Sequence, residues 1–301
     1  MLTPELSAAI DWEIRVGQRL AEAPDPDTAR DIVREMWRER SGRHLRSDAI
    51  VETVDAAGVP AEWVTTSTAR DAVILYVHGG GFTFGEAELE RETMARLGAA
   101  ASARTVAIDY RLAPENPAPA ALVDIVTVYT WLLEAGVAPS KIVLVGESPG
   151  GGLVSSALVA ARDQKLPMPA AAVLWSPFVD FTVSGESIET NASTDPFVNR
   201  EAAAGAVQAY LQGEDPRAAS PLFTDLAGLP PLLVQVGTNE AFFDDARRLV
   251  EAANTVGVDA TLDPWNDVVH MWHGFPTLPA AIDATERAGA FIAAHTSSAG
   301  V

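Results

Sequence analysis

The sequence predicts an α/β fold: a mostly parallel central sheet flanked by helices, with a helical cap over one end. From residue 71 onward, short runs rich in Val, Ile and Leu alternate with amphipathic stretches. The runs are apolar on both faces, as strands covered by helices on either side must be. Parallel strands also need crossovers, which the intervening helices supply. At 301 residues the chain is within the range that such folds occupy as one unit.

Taken in order, residues 1–45 read as two helices around Pro24-Asp25-Pro26-Asp27, with charge facing out and Ile10, Ile14, Ile32 and Met36 facing in. They form an N-terminal helical cap segment, and residues 46–301 form the core. The segments 49–54 and 60–66 flank Gly58 and Pro60 and read as an antiparallel hairpin at one sheet edge. Strands follow at 72–77, 105–110, 141–146, 171–176 and 231–237, with a last one near 258–264. Helical patterns lie near 88–101, 117–135, 150–163, 242–255 and 279–294. Residues 180–217 break this alternation with a polar stretch and a helix over 199–211. Insertions at the carboxyl ends of strands tend to cover the site in such folds, so this segment and residues 1–45 read together as a lid. Residues 296–301 read as a linker-like tail.

Composition narrows the function. With 21 basic and 41 acidic residues the formal charge is −20, which opposes phosphate backbones and anionic lipid surfaces. Nucleic acid and membrane partners are therefore not expected. The absence of cysteine excludes disulfides, thiolate metal sites and cysteine nucleophiles. Glu5, Asp11 and Glu13 stand where a signal peptide needs an apolar stretch, and runs such as 125–133 are too short to span a bilayer. These readings predict a soluble, cytoplasmic protein. There is no metal-ligand set and no dinucleotide fingerprint, so no cofactor is expected.

Two motifs carry chemistry. Gly146-Glu147-Ser148-Pro149-Gly150 joins a strand to a helix, the context of a nucleophile elbow. Its glycines permit a turn too tight for flanking side chains, and the helix N-terminus beneath the hydroxyl favours negative charge. His78-Gly79-Gly80-Gly81-Phe82 follows the strand at 72–77, and its glycines let backbone N–H groups converge as an oxyanion hole. A serine hydroxyl needs a base, and the order in this architecture is serine, acid, histidine. His44 and His78 precede Ser148 and His295 ends the last helix, which leaves His270 or His273. The acid belongs after the strand at 231–237, where Glu240, Asp244 and Asp245 are available. One feature departs from the pattern. Pro149 has no N–H, although the residue after the nucleophile normally donates to the oxyanion.

Together with Asp109-Tyr110-Arg111-Leu112-Ala113-Pro114-Glu115 and the late E-x-x-x-D-D and H-x-W-H segments, these motifs resemble the hormone-sensitive-lipase family of bacterial carboxylesterases. The resemblance covers roughly residues 45–295 and implies the α/β-hydrolase fold and cofactor-free hydrolysis of short to medium acyl esters. In that family the first histidine of H-x-W-x is the base and the acid stands four residues before an aspartate. Carried over, this favours His270 over His273 and Glu240 over Asp244, while Glu147 replaces the usual aspartate. The expectation is a serine carboxylesterase or lactonase acting on small apolar esters through an acyl-enzyme. Its catalytic residues are Ser148, His270 and Glu240, and its oxyanion hole is Gly79, Gly80 and Gly81. The rival reading, motivated by Pro149, is an impaired hydrolase that binds a small molecule or performs a non-hydrolytic biosynthetic step. Arg111 and Glu115 are expected to tie their loop by ion pairing. Phe82, Phe84, Phe197 and Trp37 are candidate pocket walls, and Trp175 fits either pocket or core. Pairing of relatives through their last edge strand implies a homodimer.

Overall fold

The computed structural model describes residues 2–41 and 44–297; the tail at 298–301 and residues 1, 42 and 43 of the cap segment lie outside them. Among the described residues eight strands form one sheet: β1 (Ile50–Ala56), β2 (Val59–Thr65), β3 (Ala72–Val77), β4 (Ala103–Ile108), β5 (Ile142–Glu147), β6 (Ala171–Trp175), β7 (Leu232–Gly237) and β8 (Ala260–Trp265). Their spatial order is β1-β2-β4-β3-β5-β6-β7-β8. The β1–β2 and β2–β4 pairs are antiparallel and the remaining pairs are parallel. The predicted edge hairpin is thus present, and β3, β5 and β6 are buried along their whole length.

Among the described residues ten α-helices accompany them: α1 (Pro4–Ala21), α2 (Pro26–Ser41), α3 (Arg91–Ala101), α4 (Ala120–Glu134), α5 (Pro149–Asp163), α6 (Ser187–Thr190), α7 (Arg200–Leu211), α8 (Pro216–Ala219), α9 (Phe243–Thr255) and α10 (Pro279–Thr296). Strand side chains alternate between two layers. Val73, Leu75 and Val77 pack with Ile125 of α4, Leu153 of α5 and Leu249 of α9. Ile74 and Tyr76 pack with Met94 and Leu97 of α3 and Ile292 of α10. None of the described helices is long and apolar enough to cross a membrane.

α1 and α2 form a third core with the loop after β8, joining Trp12, Trp37 and Phe275. Trp12 meets Trp37 at 4.8 Å and Phe275 at 5.3 Å, both edge-on. Three inward and outward assignments, those of Glu13, Ile14 and Arg40, change here. Ile14 is 40% exposed, whereas Glu13 is 1% exposed and faces inward. The inward stripe of α1 runs through Leu6, Ala9, Trp12, Glu13 and Val16, and Arg40 of α2, 8% exposed, also faces in. Burial pushes the Glu13 carboxyl well above its ordinary pKa, with Asp195 and Glu240 adding to this and Arg40 opposing it. Ile32 and Met36 are buried as predicted.

Candidate active site

The carboxyl ends of β3, β5, β7 and β8 converge beneath the cap. Ser148 sits between β5 and α5 with φ 51° and ψ −124°, a strained backbone for a residue with a side chain. The flanking glycines permit this turn: a Cβ at Gly150 would lie 2.3 Å from the Val77 carbonyl oxygen. Pro149 occupies the first position of α5, where its missing N–H costs the helix nothing.

The long-range contact predicted from chain order is formed. His270 Nε2 lies 2.8 Å from Ser148 Oγ, and His270 Nδ1 lies 2.7 Å from Glu240 Oε2. The other carboxylate oxygen, Oε1, accepts from Ser176 Oγ at 2.9 Å and from the Gly237 amide at 2.5 Å. Burial pushes the Glu240 carboxyl up, and its donors from His270 and Gly237 work against that. Burial likewise works to lower the His270 pKa, but the hydrogen bond and charge of Glu240 outweigh it and hold it above its ordinary value. The imidazole is thus oriented, with Nε2 directed at the hydroxyl and a carboxylate placed to stabilise the imidazolium.

The alternatives lie elsewhere. His273 is buried in the core, stacked on Trp175 at 4.3 Å, and burial holds its pKa well below the ordinary value. Met271, in the left-handed region at φ 52°, separates the two histidines and turns the chain between them. Asp244 accepts from the Ser187 amide at 3.0 Å and pairs with Arg247. Asp245 accepts from the amides of Val179 and Asp180, at 2.9 and 2.8 Å.

The glycine loop differs from expectation at one position. The Gly79 amide donates to Glu147 Oε1 at 3.1 Å and is not available to an oxyanion. Gly80 and Gly81 line the cavity beside Ser148, and neither amide donates to any other described group. Gly80 has φ +113°, and a Cβ there would lie 2.1 Å from the Phe84 carbonyl oxygen. The 109–115 segment braces this loop. Asp109 accepts from the Ala87 amide at 2.7 Å, Tyr110 stacks on His78 at 4.2 Å, and the Ala113 amide donates to the Phe82 carbonyl at 2.9 Å. Arg111 pairs with Asp124 of α4, and Glu115 with Arg30 of α2, both at 2.7 Å. Arg30 also donates to the Thr83 carbonyl at 2.9 Å, so the cap grips the same loop.

Ser148 is 5% exposed and is reached through a cavity of about 790 Å³. Phe84, Phe178, Phe197 and Phe242 form apolar walls, and α1 and α7 flank the opening. Phe82 and Trp37 do not line it. Phe82 stacks on Tyr210 at 4.2 Å in the core, and Trp37 packs inside the cap. Trp175 is wholly buried and bonds through Nε1 to Gln235 at 2.8 Å, so it is core. Sequence reasoning missed Ser176, the third support of Glu240. It also missed the buried group Glu13, Arg40 and Glu90, which carries no local pattern. No cluster of metal-ligating side chains occurs among the described residues.

Fold and site define an α/β hydrolase. A family profile described as alpha/beta hydrolase fold matches residues 74–274. The chain is 38% identical over 292 residues to an acetyl-hydrolase of Streptomyces hygroscopicus, covering 91% of this chain and 98% of that protein. It is 34% identical over 252 residues to an esterase of Acinetobacter venetianus, covering 82% of each. The crystal structure of an esterase from the bacterial hormone-sensitive lipase family superposes with TM-score 0.94 at 43% identity, covering 99% of this chain and 100% of that one. This chain belongs to the hormone-sensitive-lipase family of α/β hydrolases.

Proposed function

We propose that the protein is a carboxylic ester hydrolase acting on apolar esters or lactones through an acyl-enzyme on Ser148. The observation that carries this reading is the continuous Ser148–His270–Glu240 relay at 2.8 and 2.7 Å, opening onto an apolar cavity. The esterase and acetyl-hydrolase relatives support it. Ser148 Oγ attacks the substrate carbonyl carbon as His270 Nε2 takes its proton. Negative charge on the former carbonyl oxygen meets the free amides of Gly80 and Gly81 and the N-terminus of α5. The tetrahedral species collapses, His270 protonates the departing alkoxide, and the acyl group stays on Oγ. Water, deprotonated by His270, then attacks the acyl carbon and releases the acid, returning the proton to Ser148. Glu240 keeps Nδ1 protonated throughout and stabilises the imidazolium.

Pro149 favours a second reading, in which the site binds a small molecule or performs a non-hydrolytic step, because a missing donor costs about 3–4 kcal/mol of transition-state stabilisation. Labelling with a fluorophosphonate and turnover of p-nitrophenyl acetate separate the two. The hydrolase reading expects an adduct on Ser148 and turnover lost in Ser148→Ala. An unlabelled Ser148 would leave the binder, and labelling without turnover the non-hydrolytic enzyme.

A further inference from the structure

Gly17 stands in the C-terminal part of α1, before its last residue Ala21, and Gly205 in the middle of α7, both on the wall of the cavity that leads to Ser148. Glycine is the poorest helix-interior residue after proline, so such a position usually has a packing or backbone reason. Gly98 of α3 and Gly289 of α10 have one: a Cβ would lie 3.0 Å from the Ala103 carbonyl oxygen and 2.5 Å from Ala100 Cβ, respectively. Gly17 and Gly205 have none. Neither has positive φ, a Cβ at Gly205 would meet nothing within 4 Å, and one at Gly17 only the Pro196 carbonyl oxygen at 3.9 Å. Gly17 is half-buried and Gly205 exposed, so what their missing side chains leave open is the mouth of the cavity where α1 and α7 line it.

That space is large. The cavity of about 790 Å³ falls in the upper part of the ~300–1,000 Å³ range that drug-sized ligands fill, so an acetyl ester would leave most of it to water. Its charge is one-sided as well. Among the described residues no Lys or Arg lines it, and the one carboxylate on its wall is Glu201 at the start of α7. An anionic substrate would meet no counter-charge there and would approach a chain of net charge −20.

We propose that the preferred substrate is an uncharged ester carrying a bulky apolar group that lies between α1 and α7, with Gly17 and Gly205 setting this preference. The inference rests on the ester-hydrolase reading. Its test compares kcat/KM for p-nitrophenyl acetate with p-nitrophenyl cyclohexanecarboxylate, bulky on the acyl side, and 1-naphthyl acetate, bulky on the alcohol side. Wild type should favour at least one bulky ester over p-nitrophenyl acetate. In Gly17→Leu/Gly205→Leu that bulky-to-small ratio should fall by roughly tenfold or more. Leucine is a good helix former, so both changes are compatible with folding, and Gly17→Ala/Gly205→Ala gives the thermal-stability reference. Mono-p-nitrophenyl succinate should be a poorer substrate than p-nitrophenyl valerate, with the gap narrowed in Glu201→Lys. A ratio unmoved by leucine, or equal turnover of succinate and valerate, overturns the inference while the hydrolase reading stands. If wild type turns over none of these esters and Ser148 resists fluorophosphonate, the hydrolase reading fails and this inference falls with it.

Discussion

Gly79 gives its amide N–H to Glu147 Oε1, 3.1 Å away, so the residue just before Ser148 holds the first glycine of the loop that faces it. The contact locks the end of β3 to the end of β5 and leaves the next two glycine amides free. Glu147→Ala should therefore lower kcat/KM for p-nitrophenyl acetate by roughly 10- to 100-fold through displacement of the loop. Glu147→Gln, which keeps an acceptor oxygen, should retain most of the activity. Equal losses in both would show that this bond does not position the loop.

In the proposed mechanism Pro149 has no N–H to give, so the oxyanion meets two loop donors. Pro149→Ala restores an N–H at the start of α5 and should raise kcat on simple esters, with an upper bound of about 100- to 1,000-fold. Steady-state kinetics at saturating substrate check this. An unchanged or lower kcat would mean another group already fills that place.

Glu240 raises the pKa of His270, and the base works only when its imidazole is neutral. Activity should thus fall as pH drops through a value above the ordinary histidine pKa. Glu240→Gln removes the anion, so the acid limb of kcat/KM should move to lower pH while kcat falls by up to about 10⁴-fold. A limb that stays in place would detach it from this pair.

His273 stacks on Trp175 and lies tilted against Trp272, with ring centroids 4.3 and 3.8 Å away. His273→Ala should cost roughly 2–4 kcal/mol of stability, as other large-to-alanine core changes do, yet keep fluorophosphonate labelling of Ser148. His270→Ala should abolish labelling and keep most of the stability. The reverse pattern would exchange the two roles.

Glu90 lies beside Arg40, at 3.6 Å, with both side chains 3% exposed. Burial and then the Glu147 charge raise its pKa to about 8, against the pull of Arg40. The folded state therefore holds a proton that the unfolded chain releases near 4.5. The stability this contributes is full below that value and is lost as pH rises through about 8. The drop in melting temperature between pH 6 and pH 9 should be smaller in Glu90→Gln than in wild type. Parallel curves would mean that Glu90 does not bind the linked proton.

The strands were legible because burial on both faces leaves continuous Val, Ile and Leu runs, such as Ile74–Val77, that no exposed segment sustains. The elbow was legible because the close approach of Gly150 to Val77 admits no side chain. Glu13 was misplaced because periodicity takes a carboxylate as outward, whereas the groups packed around it bury it and push its carboxyl towards the neutral form, an effect that Arg40, 27 positions away on another helix, only partly offsets.

By itself the sequence determined the parallel core, the edge hairpin, the elbow at Ser148 and a short set of candidate bases and acids, since each follows from local pattern or chain order. Only the tertiary structure placed His270 rather than His273 beside Ser148, tied the Gly79 amide to Glu147 and left the surroundings of Gly17 and Gly205 open. Those outcomes depend on where a loop points its side chains and on which distant groups meet. The left-handed turn at Met271 and the side-by-side order β3-β5-β6-β7 in the sheet set both, and neither leaves a periodic mark in the chain.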